Sequence, residues 1–211
     1  MKNKIPFALF AFLAVSVGLY PIIYWILEPT FGLLATKDAA VLQDAVWKAC
    51  FYTHILFGGL ALLIGWINFL KNLRIKNPYL HRLVGRIYFA SVILSGVSGL
   101  YIAQFATGGL ISRLGFSSLS IIWLFTTVGA IHAIRKFKIS LHQRLMIFSY
   151  AACFAAVTLR IWLPLLSLIF SDFMIAYRMT SWLCWVPNLV FAYFLNRKVI
   201  GDTNNLYSLN Q

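Results

Sequence analysis

Four histidines, His54, His81, His132 and His142, fall one on each of four apolar stretches of the chain. Neutral imidazole is a common axial ligand to haem and a ligand to zinc, copper and iron. An ionisable side chain inside a membrane segment is costly, so it usually faces a bundle interior or water and marks a site. Arg160 is the fifth such residue, deep in an apolar run, with Asp172 the nearest acid in sequence. By the 1.5 Å rise per residue, His81, His132 and His142 form an inner group, and His54 and Arg160 an outer pair. Histidines on facing helices can hold a cofactor in a bundle core. The pattern therefore points to haem b held by His81, His132, His142 or His54. Arg86, Arg144 or Arg160 would meet its propionates, or an anionic substrate, through bidentate contacts. One inner haem, on His81 and His142 for example, fits better than two, because a two-haem wire needs two histidines on each side and the outer side has only His54. A metal site on the inner histidines fits about as well, and no catalytic residue is identified.

The stripes that carry these residues suit an inward face. His54, Gly58, Ala61, Gly65 and Asn68 recur at helical spacing. So do Ser118, Ile122, Thr126, Gly129 and His132, and again His142, Met146, Ser149, Cys153, Ala156 and Arg160. Small residues let membrane helices approach closely, so close packing alone would also produce such stripes.

The elements that position them are membrane spans. Of 211 residues, 61% are hydrophobic and 11% charged, with a mean hydropathy of +0.82. A soluble domain is about half apolar and a quarter charged. Apolar runs predict an all-α, polytopic bundle of about six transmembrane helices with a central four-helix core: about 5–27, 49–70, 83–104, 115–134, 145–169 and 174–195. Residues 1–198 form one transmembrane domain, and 199–211 a short polar tail with little to bury. The first run is too long for a signal-peptide core and is read as a retained span.

The net charge of +13 sets orientation. Lys2 and Lys4, then Lys71, Arg74, Lys76 and Arg82, then Arg135, Lys136, Lys138 and Arg144, then Arg197 and Lys198 occupy alternate connections. The other connections carry fewer cations and hold Glu28, Asp38, Asp44 and Asp172. The positive-inside rule then predicts cytoplasmic N- and C-termini in an inner membrane. Trp25, Trp47, Tyr101, Trp162 and Tyr177 suit an aromatic belt at the outer face. The bilayer is the expected partner; without a basic recognition motif, nucleic acid is not. Cys50, Cys153 and Cys184 have no CxxC spacing and are read as small buried apolar residues.

A faint repeat links two hairpins. Arg82-Leu83 precedes Tyr88, and Arg144-Leu145 precedes Tyr150, with the same spacing, each just after a histidine. Sites of membrane proteins often lie between repeats.

The segments Leu80-His81-Arg82, Gly85-Arg86-Ile87-Tyr88, Gly108-Gly109, Trp123 with Thr126-Thr127, His142-Gln143-Arg144-Leu145-Met146, Ser149-Tyr150 and Ala155 to Arg160 carry a resemblance. Through them the chain resembles domain-of-unknown-function family 2306, bacterial multi-span membrane proteins without an assigned activity. In plan it is also similar to cytochrome b561-type membrane proteins, with six spans, cytoplasmic termini and histidines on four central helices. It departs from them in histidine depths that do not pair as two haems require.

Three functions fit these residues. The first is a histidine-based cofactor site, with haem b serving electron transfer. The second is a small-molecule or proton-coupled transporter using Arg160 and His54. The third is a non-catalytic membrane partner or assembly factor. The chain carries no GxGxxG, so a redox role would need an electron donor from a separate protein or a diffusible carrier. The acids all lie outside the spans, and no nucleophile, base and acid set supports hydrolysis.

Overall fold

The computed structural model describes residues 4–26 and 32–208. Lys2 and Glu28, and the side chain of Trp25, lie outside what is described.

Eight main helices account for the fold, and no strand occurs among the described residues. They are α1 (Lys4–Leu19), α2 (Ala45–Gly65), α3 (Pro78–Ala103), α4 (Leu110–Arg135), α5 (Ile139–Cys153), α6 (Ala155–Phe170), α7 (Phe173–Leu183) and α8 (Val186–Ser208). Among the described residues four stretches are long and apolar enough to cross a membrane: Ala45–Phe69, Pro78–Ala103, Leu110–Arg135 and Ile139–Phe170. A shorter apolar helical stretch, Pro6–Ile22, precedes them.

Helix boundaries follow local chemistry. The Asp44 carboxylate accepts from the amides of Val46 (2.7 Å) and Trp47 (2.9 Å), capping α2. The Asn77 side chain accepts from Leu80 (3.0 Å) ahead of Pro78, which occupies the first turn of α3 where no N–H is needed. Asp172 caps α7 through Met174 and Ile175. Pro21 tightens the end of the first apolar stretch into a 3₁₀ turn, Tyr20–Ile22. Pro187 has no N–H for the carbonyl of Leu183, which fits the break between α7 and α8. The last apolar run is thus two helices rather than one. Beyond Arg197 the chain stays helical to Ser208, where the composition suggested an unstructured tail. No proline follows Pro187, and an established helix extends without a new nucleation cost.

Helices α2, α3, α4 and α5 pack in sequence order, each against the next, and α2 also meets α5. This is the central four-helix core. Helix α1 lies against α2 and α6, α7 against α4 and α6, and α8 against α5. Tyr88 and Tyr150, the equivalent positions of the repeat, meet in that core with ring centroids 6.2 Å apart, 1% and 2% exposed. Both press on α2 at Gly65, where a Cβ would come within 2.5 Å of Tyr150 and 2.8 Å of Tyr88. Beneath them Ser149 Oγ bonds Tyr88 OH (2.8 Å) and Thr127 Oγ1 (2.7 Å), while Tyr150 OH donates to the Leu62 carbonyl (2.8 Å). In a medium without water, each buried hydroxyl needs such a partner.

Candidate functional site

The bundle holds a half-open cavity of about 710 Å³ at the end opposite the strongly basic connections. Its walls come from α2, α3, α4, the end of α5, α6 and the segment after α1, with α7 closing one side. His54 and Arg160, the outer pair, both line it, as do Ser95, Gly99, Trp123 and Cys153. The lining is largely apolar and aromatic with few polar groups, the usual make-up of a small-molecule site.

His54 is oriented by α3. Its Nδ1 lies 2.8 Å from the Ser95 carbonyl oxygen, and the Ser95 hydroxyl donates to the His54 carbonyl at 2.9 Å. A carbonyl only accepts, so Nδ1 carries the hydrogen and a neutral ring keeps its lone pair on Nε2. The imidazole occupies space that only glycine leaves: a Cβ on Gly99 would stand 2.7 Å from Nδ1.

Arg160 lies one turn before Pro164 on α6. Its Nη1 donates to the Ala156 carbonyl (2.7 Å), and its guanidinium carbon sits 4.1 Å from the Tyr20 ring centroid. Its Nε is buried without a hydrogen-bond partner. Asp172, the nearest acid in sequence, is exposed and occupied with the cap of α7. Among the described residues no acid lines the cavity.

A strap, Gly32–Thr36 and Lys37, covers one end of the cavity. Leu34, in the middle of the strap, is buried. Thr36 Oγ1 bonds Thr107 Oγ1 at 3.0 Å, and Lys37 Nζ donates to Thr107 Oγ1 (3.0 Å) and to the Phe105 carbonyl. Burial lowers the Lys37 ammonium pKa to about 8; Asp38 opposes that shift and Arg113 adds to it.

The inner histidines are arranged differently from the stripe reading. His81 is half-buried at the start of α3, its Nδ1 enclosed without a partner. His142 Nδ1 lies 3.0 Å from the Ala130 carbonyl, so its hydrogen also sits on Nδ1. His81 and His142 lie within electrostatic range of each other. His132 does not join them: it is exposed in the last turn of α4. The buried face of α4 runs through Ser120, Trp123, Thr127, Ala130 and Ala133, one position off the predicted stripe. Arg86 and Arg144 are exposed as well, at the basic end and away from the cavity lining. Among the described residues no three His, Cys, Asp or Glu side chains gather as a metal site would require.

Several cavity residues escaped the sequence reading. Trp47 and Tyr177, expected in an aromatic belt, are 3% and 6% exposed and face the cavity, Trp47 stacked on Phe51 at 5.2 Å. Tyr20 comes from the end of the first apolar stretch and Lys37 from the connection after it. Their only signal was aromatic and basic character close to an apolar run.

A family model described as "Predicted membrane protein (DUF2306)" matches residues 51–196, from α2 into α8. No curated protein and no solved structure matches the chain.

Proposed function

The chain belongs to the DUF2306 family of predicted membrane proteins, and from that premise we propose that it binds and carries a small molecule in the cavity anchored by Arg160 and His54. The observation that supports this is the placement of both outer polar residues in one largely apolar chamber of about 710 Å³. A half-buried guanidinium, its Nε covered and unpartnered, with one backbone carbonyl and an aromatic face as its described partners is poorly matched for structure alone, and well matched to a ligand. His54, its tautomer set by Ser95, offers Nε2 as acceptor or proton site.

The topology that suits this reading has both termini in the cytoplasm of the inner membrane, since the basic connections cluster at the other end from the cavity. The four long spans are then joined by α1 and the α7–α8 pair as fifth and sixth crossings. The cavity faces the outer side, and the Tyr88–Ser149–Thr127 core lies between it and the cytoplasm.

The test is thermal unfolding of purified protein against a panel of anionic, neutral and cationic small molecules, followed by flux of any stabilising compound in proteoliposomes. A compound that stabilises the wild type, loses its effect on Arg160→Gln and crosses only with protein present supports the proposal. A panel without any such compound refutes it.

A second reading has one specific observation in its favour. His81 holds a covered, unpartnered Nδ1 at the start of α3, and the Nδ1–H of His142 at the start of α5 is fixed on a carbonyl as in many iron-ligating histidines. A haem b on that pair would give a Soret band that disappears in His81→Ala and His142→Ala. A featureless spectrum, oxidised and reduced, removes this reading and leaves the cavity reading intact.

A further inference from the structure

We infer that the occupant of the cavity is an amphipathic oxyanion, a carboxylate or phosphate head on an apolar tail, with its head on Arg160 and its tail leaving beside Pro164. The inference rests on the reading of the cavity as a binding site, and adds the class of ligand.

Charge supplies the first argument. Arg160 stays protonated at physiological pH and has five N–H donors in a planar fork. One Nη1 hydrogen goes to the Ala156 carbonyl, and the Nε hydrogen has no partner. The Tyr20 ring faces the guanidinium but accepts no ordinary hydrogen bond from it. Among the described residues no carboxylate lines the chamber to balance the charge. A neutral His54 adds no second charge. Among the described residues the chamber therefore carries positive charge, from Arg160 and from Lys37 in the strap, with no carboxylate against it, and an anion is the ligand that neutralises it.

Shape supplies the second. Beyond Arg160 the wall is Ile55, Ile102, Phe116, Leu119, Leu159 and Leu163, which offer a chain only dispersion contacts and burial. A compact hydrophilic anion would leave that surface empty.

Access supplies the third. Pro164 lines the cavity and is exposed, so the chamber reaches the bundle surface on a helix long and apolar enough to cross a membrane. The opening lies one turn, about 5 Å, from Arg160. An amphiphile dissolved in the bilayer meets it without crossing water, and its tail can stay in lipid while the head reaches the arginine.

The same head-group chemistry occurs in a free fatty acid and in a lipid of the bilayer itself, and the experiment separates the two. Protein is reconstituted in phosphatidylcholine nanodiscs and titrated with ω-bromoundecanoate, whose bromine quenches tryptophan on contact; Trp47 and Trp123 line the cavity as reporters. The neutral ω-bromoundecanol is the matched control. The expected result is saturable quenching by the acid and little by the alcohol. Arg160→Gln should weaken the acid roughly tenfold to a hundredfold, as loss of a charge-assisted contact does, and Arg160→Lys should weaken it less. Repeating the titration in phosphatidylglycerol nanodiscs assigns the source. Quenching lost there identifies the bilayer lipid as occupant, and quenching retained identifies the free acid. Equal saturable quenching by alcohol and acid in the wild type overturns the oxyanion class while the cavity reading stands. Saturable quenching by neither overturns both.

Discussion

The guanidinium of Arg160 lies over the ring of Tyr20, 4.1 Å from its centroid, joining α6 to the segment that ends the first apolar stretch. A desolvated cation–π contact of this kind is worth about 2 kcal/mol. Tyr20→Phe keeps the face and should leave thermal stability and ligand response close to wild type. Tyr20→Leu should lower stability by about 1–2 kcal/mol and weaken the ligand response, measured by unfolding with and without ligand. Equal behaviour of the two variants would show that the ring face does not hold Arg160.

Gly99 tests whether His54 is positioned by α3. A Cβ there would stand 2.7 Å from Nδ1 and 2.9 Å from Cε1 of the imidazole. Gly99→Ala should displace the ring, break its bond to the Ser95 carbonyl and cost about 1–3 kcal/mol as an overpacked site. Ligand binding should fall as well. Ser95→Ala removes only the hydroxyl, so its effect should be smaller. The same binding loss in Ser95→Ala as in Gly99→Ala would count against this geometry.

Ser149 links Tyr88 and Thr127 at the centre of the core. Ser149→Ala leaves the buried Tyr88 O–H without its acceptor, while Thr127 Oγ1 keeps its bond to the Trp123 carbonyl, a loss of about 1–3 kcal/mol. With the cavity walls untouched, ligand affinity should change little. A Ser149→Ala protein of wild-type stability would mean that the network contributes nothing.

Lys37 gives a pH signature. Its pKa is lowered from 10.5 to about 8 chiefly by burial in the strap, so between those values the unfolded chain binds more protons than the folded one. Stability must then rise with pH across that window, and the contribution is absent below about 8. The difference in unfolding temperature between wild type and Lys37→Met should therefore change between pH 8 and 10.5 in favour of the wild type. A difference that is flat with pH would show that the amine is not buried.

Much of this was legible from residue order. Apolar run lengths mark the four long spans, and helical spacing puts His54, Gly58 and Gly65 of α2, and Ser149, Cys153 and Arg160 of α5 and α6, on inward faces. Tyr88 and Tyr150, which stand at the same spacing after Arg-Leu, meet in the core. His132 was misread because Thr126 and Thr127 are both buried, and a stripe drawn through Thr126 ends on His132, whereas one drawn through Thr127 ends on Ala130 and Ala133. Trp47 and Tyr177 were misread because an aromatic residue near a span end is equally compatible with a lipid interface and a cavity wall. The strap was not legible, since its docking depends on Thr107, some seventy positions away, and spacing within one segment carries no information on that partner.

The central claim, that the cavity holds a small molecule through Arg160, is tested most directly by native mass spectrometry of protein released gently from membranes. The expected result is a bound species of defined mass on the wild type, retained by Arg160→Lys and missing from Arg160→Gln. A wild-type spectrum showing only the bare polypeptide, or a bound species equally present on Arg160→Gln, would contradict it.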